Sequence, residues 1–153
     1  MITKIELWDA ANLGYVDLDT LTYPLYKFAW EYPIVGDDVP RPFSAGQYNT
    51  RKSVGSMTID CEGEIVTTTT TLYWTARKAL VAKVIPLFSQ ISYHHSTLKL
   101  TIDGDTQVYI AEVVLSSYSI PLASTGAPTI SPFQFSWTCN KGYWLANGTP
   151  VLL

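Results

Sequence analysis

Residues 131–144 read Ser-Pro-Phe-Gln-Phe-Ser-Trp-Thr-Cys-Asn-Lys-Gly-Tyr-Trp. Phe133, Phe135, Trp137 and Cys139 alternate with Gln134, Ser136, Thr138 and Asn140. Side chains on a strand point to opposite faces with period two. One face of this strand is therefore large and apolar, and the other is small and polar. Burying each large side chain contributes roughly 1.5–3 kcal/mol, so three aromatics on one face give on the order of 5–9 kcal/mol. That is comparable to the net stability of a whole domain. The strand belongs to a core, and the Tyr143-Trp144 pair just past it must pack on something.

The remaining chain repeats the pattern. Ile2–Trp8 reads as a first strand with Ile5 and Leu7 on its apolar face. Tyr26–Val35 is rich in aromatic and β-branched residues and reads as a second. Gly36–Gly46 carries two Asp and two Pro between glycines and reads as a loop of about eleven residues, a length that is often functional. Met57, Ile59 and Cys61 alternate with polar residues over Val54–Glu62, and Gly63 then marks a turn or bulge. Leu98, Leu100 and Ile102 lead into Asp103-Gly104-Asp105, and Gln107–Leu115 returns, a hairpin with a strong local signal. Tyr118–Pro132 is a connection, Phe133–Asn140 the last strand, and Gly148–Leu153 a tail.

A single helix is predicted over about Thr70–Leu87. The threonine run supplies a cap. Leu72, Ala76, Leu80, Val84 and Leu87 form one stripe, and Pro86 ends it. An isolated helix of this length is marginal in water, so its stripe must rest on a sheet. The expected fold is mainly β, a sandwich or barrel of about six to nine strands flanked by that helix. It forms one domain over residues 1–145 with a C-terminal tail at 146–153.

Of the 153 residues, 47 % are hydrophobic, 13 % aromatic and only 15 % charged, against about 25 % charged in typical soluble domains. Such a surface suits a chain that buries much of itself against partners. The net charge of −3 argues against a phosphate-neutralising nucleic-acid binder. No signal peptide is visible at Met1–Glu6, and Arg77, Lys78 and Lys83 exclude the helix as a membrane span.

Chemistry-bearing patterns are sparse. His94 and His95 are adjacent and would point to opposite faces of a strand, so they do not make a metal site. Asp37-Asp38 and Asp103/Asp105 sit on turn signals, which explain them without acid–base work. Cys61 and Cys139 fall on apolar strand phases and read as buried thiols, with a disulfide open if their strands are neighbours. No catalytic, cofactor or metal site is expected. The Gly36–Gly46 loop supplies an apolar anchor and a charged rim in Asp37, Asp38, Arg41 and Phe43, and these are the candidate contacts with another subunit.

The order of these features resembles a known family. Gly46, Gln47, Tyr48 and Arg51 follow the loop, a strand runs to Gly63, and one helix has Arg77 near its start. The hairpin Leu98–Gly104 has a partner strand with Tyr109. The last strand then ends in Tyr143-Trp144, preceded by Lys141-Gly142 where the family often has Asp-Pro. Together they resemble the N-terminal ring domain of distal tail proteins of long-tailed bacteriophages, which is similar in fold to tail tube subunits. The resemblance implies a structural, non-enzymatic protein of the virion tail, made in the host cytoplasm. It implies a ring, hexameric in that family, that joins the tail tube to the hub or tip. Its partners would be itself, the tube protein, the hub or tip protein and the tape measure protein, with DNA passing through the channel without specific binding. A major tail tube protein is the alternative within this resemblance. In another class stands a small carbohydrate-binding β-sandwich, with Trp8, Trp30, Tyr93 and Trp144 as stacking residues.

Overall fold

The computed structural model describes residues 2–9, 13–35, 38–40, 47–49, 53–84, 95–122 and 128–153. In chain order the elements are β1 (Ile2–Asp9), β2 (Gly14–Asp17), β3 (Leu25–Glu31), β4 (Ile34–Val35), β5 (Asp38–Pro40), β6 (Gln47–Asn49), β7 (Ser53–Val54) and β8 (Met57–Val66). The helix α1 (Thr70–Val84) follows, and then come β9 (His95–Ile102), β10 (Val108–Ser119), β11 (Ile130–Cys139), β12 (Trp144–Ala146) and β13 (Thr149–Val151).

The expected class holds. The chain is mainly β with one helix, and its main sheet has nine antiparallel strands that do not close into a barrel. Its order is β2-β1-β9-β10-β11-β8-β3, with β12 and β13 attached beside β10. The fork lies on β10. Tyr109 and Ile110 pair with Ala146 and Leu145 of β12, and Val114–Ser119 pairs with β11. Both partners use the edge that β9 leaves free. β10 changes partner between Ile110 and Val114, and a register shift between Leu115 and Ser117 then bends it within its pairing with β11.

The strand that dominates the sequence behaves as expected. Phe133, Phe135, Trp137 and Cys139 are all buried, and so are Met57, Ile59, Cys61 and Ile65 across the ladder on β8. Leu98, Leu100, Ala111 and Val113 complete this core from the other half of the sheet. The far edge strand β3 comes back to the fork. Trp30 packs edge-on against the fully buried Trp144, with centroids 5.5 Å apart at 74°. The Trp30 indole N–H also donates to the Leu153 carbonyl (3.3 Å), and the Leu153 N–H donates to the Tyr32 hydroxyl (3.1 Å). The edge strand β3 is thus folded onto β12 and the C-terminal residue.

Several local expectations change. Cys139 does not end the strand order: β12 and β13 follow it, joined by Asn147 and Gly148, both at positive φ (51° and 80°). Tyr26–Val35 is interrupted after Glu31. The Gly36–Gly46 segment is not all loop, because it contains β5. β4 pairs β7 and β5 pairs β6, so the β3–β8 hairpin is prolonged into an arm beyond the sheet. Gly63 is neither a turn nor itself a bulge. It sits inside β8, and the register shift lies on the opposite strand, between Leu25 and Lys27. A Cβ at Gly63 would come within 2.6 Å of both the Phe133 ring and the Pro24 carbonyl oxygen.

The helix is capped by Thr69, whose hydroxyl accepts the Leu72 N–H (3.2 Å). It buries Tyr73, Ala76, Leu80 and Val84. Leu72 is exposed, against expectation. At about 100° per residue, steps of four drift around the helix. Leu72 lies about 120° from Val84, and Tyr73 only about 20°. Leu87 and Pro86 lie outside the described residues. The Tyr23 hydroxyl donates to the Ala76 carbonyl (2.8 Å), and Arg77 donates to the Ile120 carbonyl (2.6 Å), which pins the helix to two connections.

The substitution Gly63→Ala is expected to destabilise the fold by about 1–3 kcal/mol, because a backbone carbonyl cannot move aside as a flexible side chain would. A guanidinium unfolding midpoint equal to that of the parent would contradict the close approach.

Candidate functional site

Of the loop residues singled out for contact with another subunit, Asp38 lies in β5, within the arm. Asp37, Arg41 and Phe43 lie outside the described residues. Trp144 opens β12, and the Tyr143 carbonyl accepts the Cys139 thiol (3.7 Å). Among the aromatics named for sugar stacking, Trp144 is inaccessible. Trp8 packs edge-on against Tyr15 at 5.2 Å, and Tyr93 lies outside the described residues.

Sequence alone did not show where the sheet is open. β3 pairs only with β8 among the described residues. β2 covers β1 only from Glu6 to Asp9, and the Ile5 carbonyl accepts the Leu18 N–H (2.9 Å), so Ile2–Lys4 has β9 on one side and, among the described residues, no strand on the other. The two open edges face one groove of about 300 Å³, lined by Ile2–Ile5 on one wall, Leu25–Phe28 on the other, and Asp19. Open edges offer unpaired backbone donors and acceptors and are a ready template for another chain. Pairing between distant segments decides which edges stay open, and no local pattern in the sequence reports it.

Charge is distributed unevenly over the solvent face. On the β1–β9 half, the buried Glu6 carboxylate is held by Lys4 (3.0 Å) and Lys99 (2.8 Å), and Lys4 also reaches Asp17 (3.2 Å). The Lys99 ammonium lies 4.4 Å from the centre of the Tyr15 ring. Burial pushes the Glu6 carboxyl up, but hydrogen bonds and charge from Lys99 and Lys4 outweigh it and hold it below its usual range. On the β3–β8–β11 half, the outward positions are Lys27, Ala29 and Glu31, then Thr58, Asp60, Glu62, Glu64 and Val66, then Ile130, Pro132, Gln134, Ser136 and Thr138. Four carboxylates stand there against one ammonium, and Lys27 is paired with Glu62 at 2.6 Å. This face is acidic along β8 and apolar where Val66 meets Ile130.

Cys61 and Cys139 lie on neighbouring strands, yet both are free. Cys61 is opposite Phe135 and Cys139 is opposite Met57, so four rungs separate them, about 13 Å along the ladder. A disulfide needs Cα atoms within about 7 Å. Burial pushes the Cys61 thiol up to about 12, which keeps it protonated and unreactive near neutral pH. Among the described residues no group of His, Cys, Asp and Glu could hold a metal ion, and no helix is long and apolar enough to cross a membrane.

Replacing Glu6 by Gln is expected to cost about 1–2 kcal/mol at neutral pH, since two ammonium groups lose their carboxylate. A carboxyl with a depressed folded pKa stabilises above its unfolded value, about 4.3, and loses that contribution as pH falls through the folded value. The variant should therefore show a shallower acid limb in denaturation midpoints measured from pH 7 to pH 2. An acid limb as steep as the parent's would rule out this role for Glu6.

No family model and no curated protein sequence matches the chain. Solved structures do. The Dit protein of phage SPP1, described as a paradigm of the hub adsorption apparatus in phages infecting Gram-positive bacteria, aligns with a TM-score of 0.63 at 10 % identity. The alignment covers 94 % of this chain and 53 % of that one. A chain of the phage p2 baseplate in its activated conformation, solved with strontium and with calcium, aligns with a TM-score of 0.63 at 9 % identity, over 88 % of this chain and 43 % of that one. The chain spans about half the length of these neighbours, and what it shares with the Dit hub protein and the p2 baseplate chain is its fold.

Proposed function

We propose that this chain is a structural, non-enzymatic subunit of a bacteriophage tail. Copies of it join in a hexameric ring at the distal end of the tail tube. The ring connects the tube to the hub or tip and leaves a channel for DNA. Residues 1–145 form the tail-tube-like unit and 146–153 its C-terminal segment. The observation that carries this reading is the fold shared with two phage hub and baseplate proteins over nearly the whole chain, at TM-scores of 0.63.

Three features of the molecule support it. A chain with open edges and exposed Leu21, Tyr26, Leu72, Leu122 and Ile130 is better served by neighbours than by water. Of the proposed contacts Asp37, Asp38, Arg41 and Phe43, the described one, Asp38, falls on the arm between β3 and β8. The acidic face of β3, β8 and β11 is suited to line the channel, since Asp60, Glu62 and Glu64 would repel phosphates and let DNA slide rather than stick. The tube protein, the hub or tip protein and the tape measure protein are the proposed partners, and the virion tail is the proposed location.

Purified protein, alone or mixed with its tail partners, is expected to form six-fold rings in electron micrographs. A chain that remains monomeric under every such condition, and is absent from the tails of intact particles, would overturn the reading. The channel assignment makes a separate prediction. The parent should not retain duplex DNA at physiological salt. Combined Glu62→Lys and Glu64→Lys changes should create retention that weakens linearly with the logarithm of salt. Rings of this variant that leave DNA as mobile as the parent does would place another face on the channel.

A further inference from the structure

The joint between the arm and the sheet is irregular. Glu31 opposite Thr58 is the last rung of β3 with β8, and Ile34 opposite Val54 is the nearest rung in the arm. Tyr32 and Pro33 on one side therefore face Gly55, Ser56 and Met57 on the other. That extra residue makes a bulge, which bends and twists a ribbon away from its sheet. The Gly55 N–H spans the joint to the Pro33 carbonyl (2.7 Å), but Pro33 has no N–H to return. Beyond it, the described strands of the arm pair with one another and with no strand of the main sheet. Two-stranded ribbons are marginal alone in water, so the angle of the arm needs a support outside its own ladder.

Leu153 supplies that support. Trp30 and Tyr32 are two residues apart and project to the same side of the chain. Both grip the Leu153 backbone. The Trp30 indole N–H donates to its carbonyl (3.3 Å), and its own N–H donates to the Tyr32 hydroxyl (3.1 Å). Tyr32 belongs to the joint itself. Leu153 in turn is tied to the sheet. Two residues back, Val151 pairs with Trp144, and β12 pairs with Tyr109 and Ile110 of β10. Trp144 is fully buried with its ring against Trp30, so the support is anchored in the core.

We infer that Leu153 is a latch that sets the angle at which the arm leaves the sheet. The bulge lets the joint bend, and the two hydrogen bonds select one bend. Both bonds lie outside the β8–β11 ladder, so releasing them frees the arm to swing while the core stays closed. The consequence for assembly rests on the ring reading above. A ring closes only if every subunit repeats the same rotation, and a latched arm presents Asp38 at one position in every copy. Holding the arm in its bound orientation also lowers the cost of association.

Hydrogen exchange of the full chain, read by peptide mass, tests this. Tyr32→Phe removes the acceptor and keeps the ring. Trp30→Phe removes the donor and keeps an aromatic against Trp144. Thermal melts show which variants keep the fold, and Tyr32→Phe, which loses only a hydroxyl, decides alone if Trp30→Phe melts early. Peptides covering β4 and β7 should exchange about fivefold faster in Tyr32→Phe, the factor for one lost hydrogen bond. Those covering β8 and β11 should keep the parent rate. Unchanged exchange in the arm would overturn the latch. An equal rise throughout β8 and β11 would mark general loosening and overturn it too. The concentration needed for assembly should rise together with arm exchange. Faster arm exchange with unchanged assembly would leave the latch standing and remove the arm from the contact between copies.

Discussion

The ladder between β8 and β11 is the constraint on which the rest depends. Ten consecutive pairs run from Ile130 opposite Val66 to Cys139 opposite Met57 with no register shift. Because the side-chain period is two, a slip of one residue would put Phe133, Phe135 and Trp137 in water and Gln134, Ser136 and Thr138 in the core. Each aromatic carries roughly 1.5–3 kcal/mol of burial, so one register is strongly preferred. β3 and β10 then take the two remaining edges of this pair. The helix follows at the Val66 end, where the Thr67 N–H bonds the Thr129 carbonyl across the ladder at 2.9 Å. Gly63 is what lets β3, β8 and β11 lie this close.

What was legible in the sequence was local and periodic. The alternation on β8, β9 and β11 could be read directly, and so could the Asp103-Gly104 turn, with Gly104 at φ 81°. The helix could be read too, apart from the rotation that replaces Leu72 by Tyr73 on its buried stripe. One available signal was passed over. Asn147-Gly148 is the dipeptide that a two-residue hairpin turn with two positive φ values demands, and it joins β12 to β13. The fork on β10, the contact of Trp30 with Trp144 and the open edges were not legible. Each depends on which distant segments meet, and propensity and periodicity carry no term for that.

The candidate surfaces share this character. Lys27 and Lys4 look like ordinary solvent-facing residues of two unrelated strands. They matter together because the sheet brings its own ends around the same groove. The acidic face likewise emerges only when Glu31, Asp60, Glu62 and Glu64 are set in register with the small polar residues of β11. A low overall charge thus conceals one acidic surface along β8 beside a groove whose two lysines are already matched by carboxylates. The fold can offer different partners to different sides of a single subunit.

The spacing of the two cysteines has a consequence of its own. They are the only cysteines in the chain, and the ladder that buries both also holds them apart, out of reach of each other. Any oxidant must first unfold the core to reach them. The covalent structure is therefore the same in reducing and in oxidising surroundings. A subunit built this way can be synthesised in one redox compartment and work in another, with no bond to form in the first or to protect in the second.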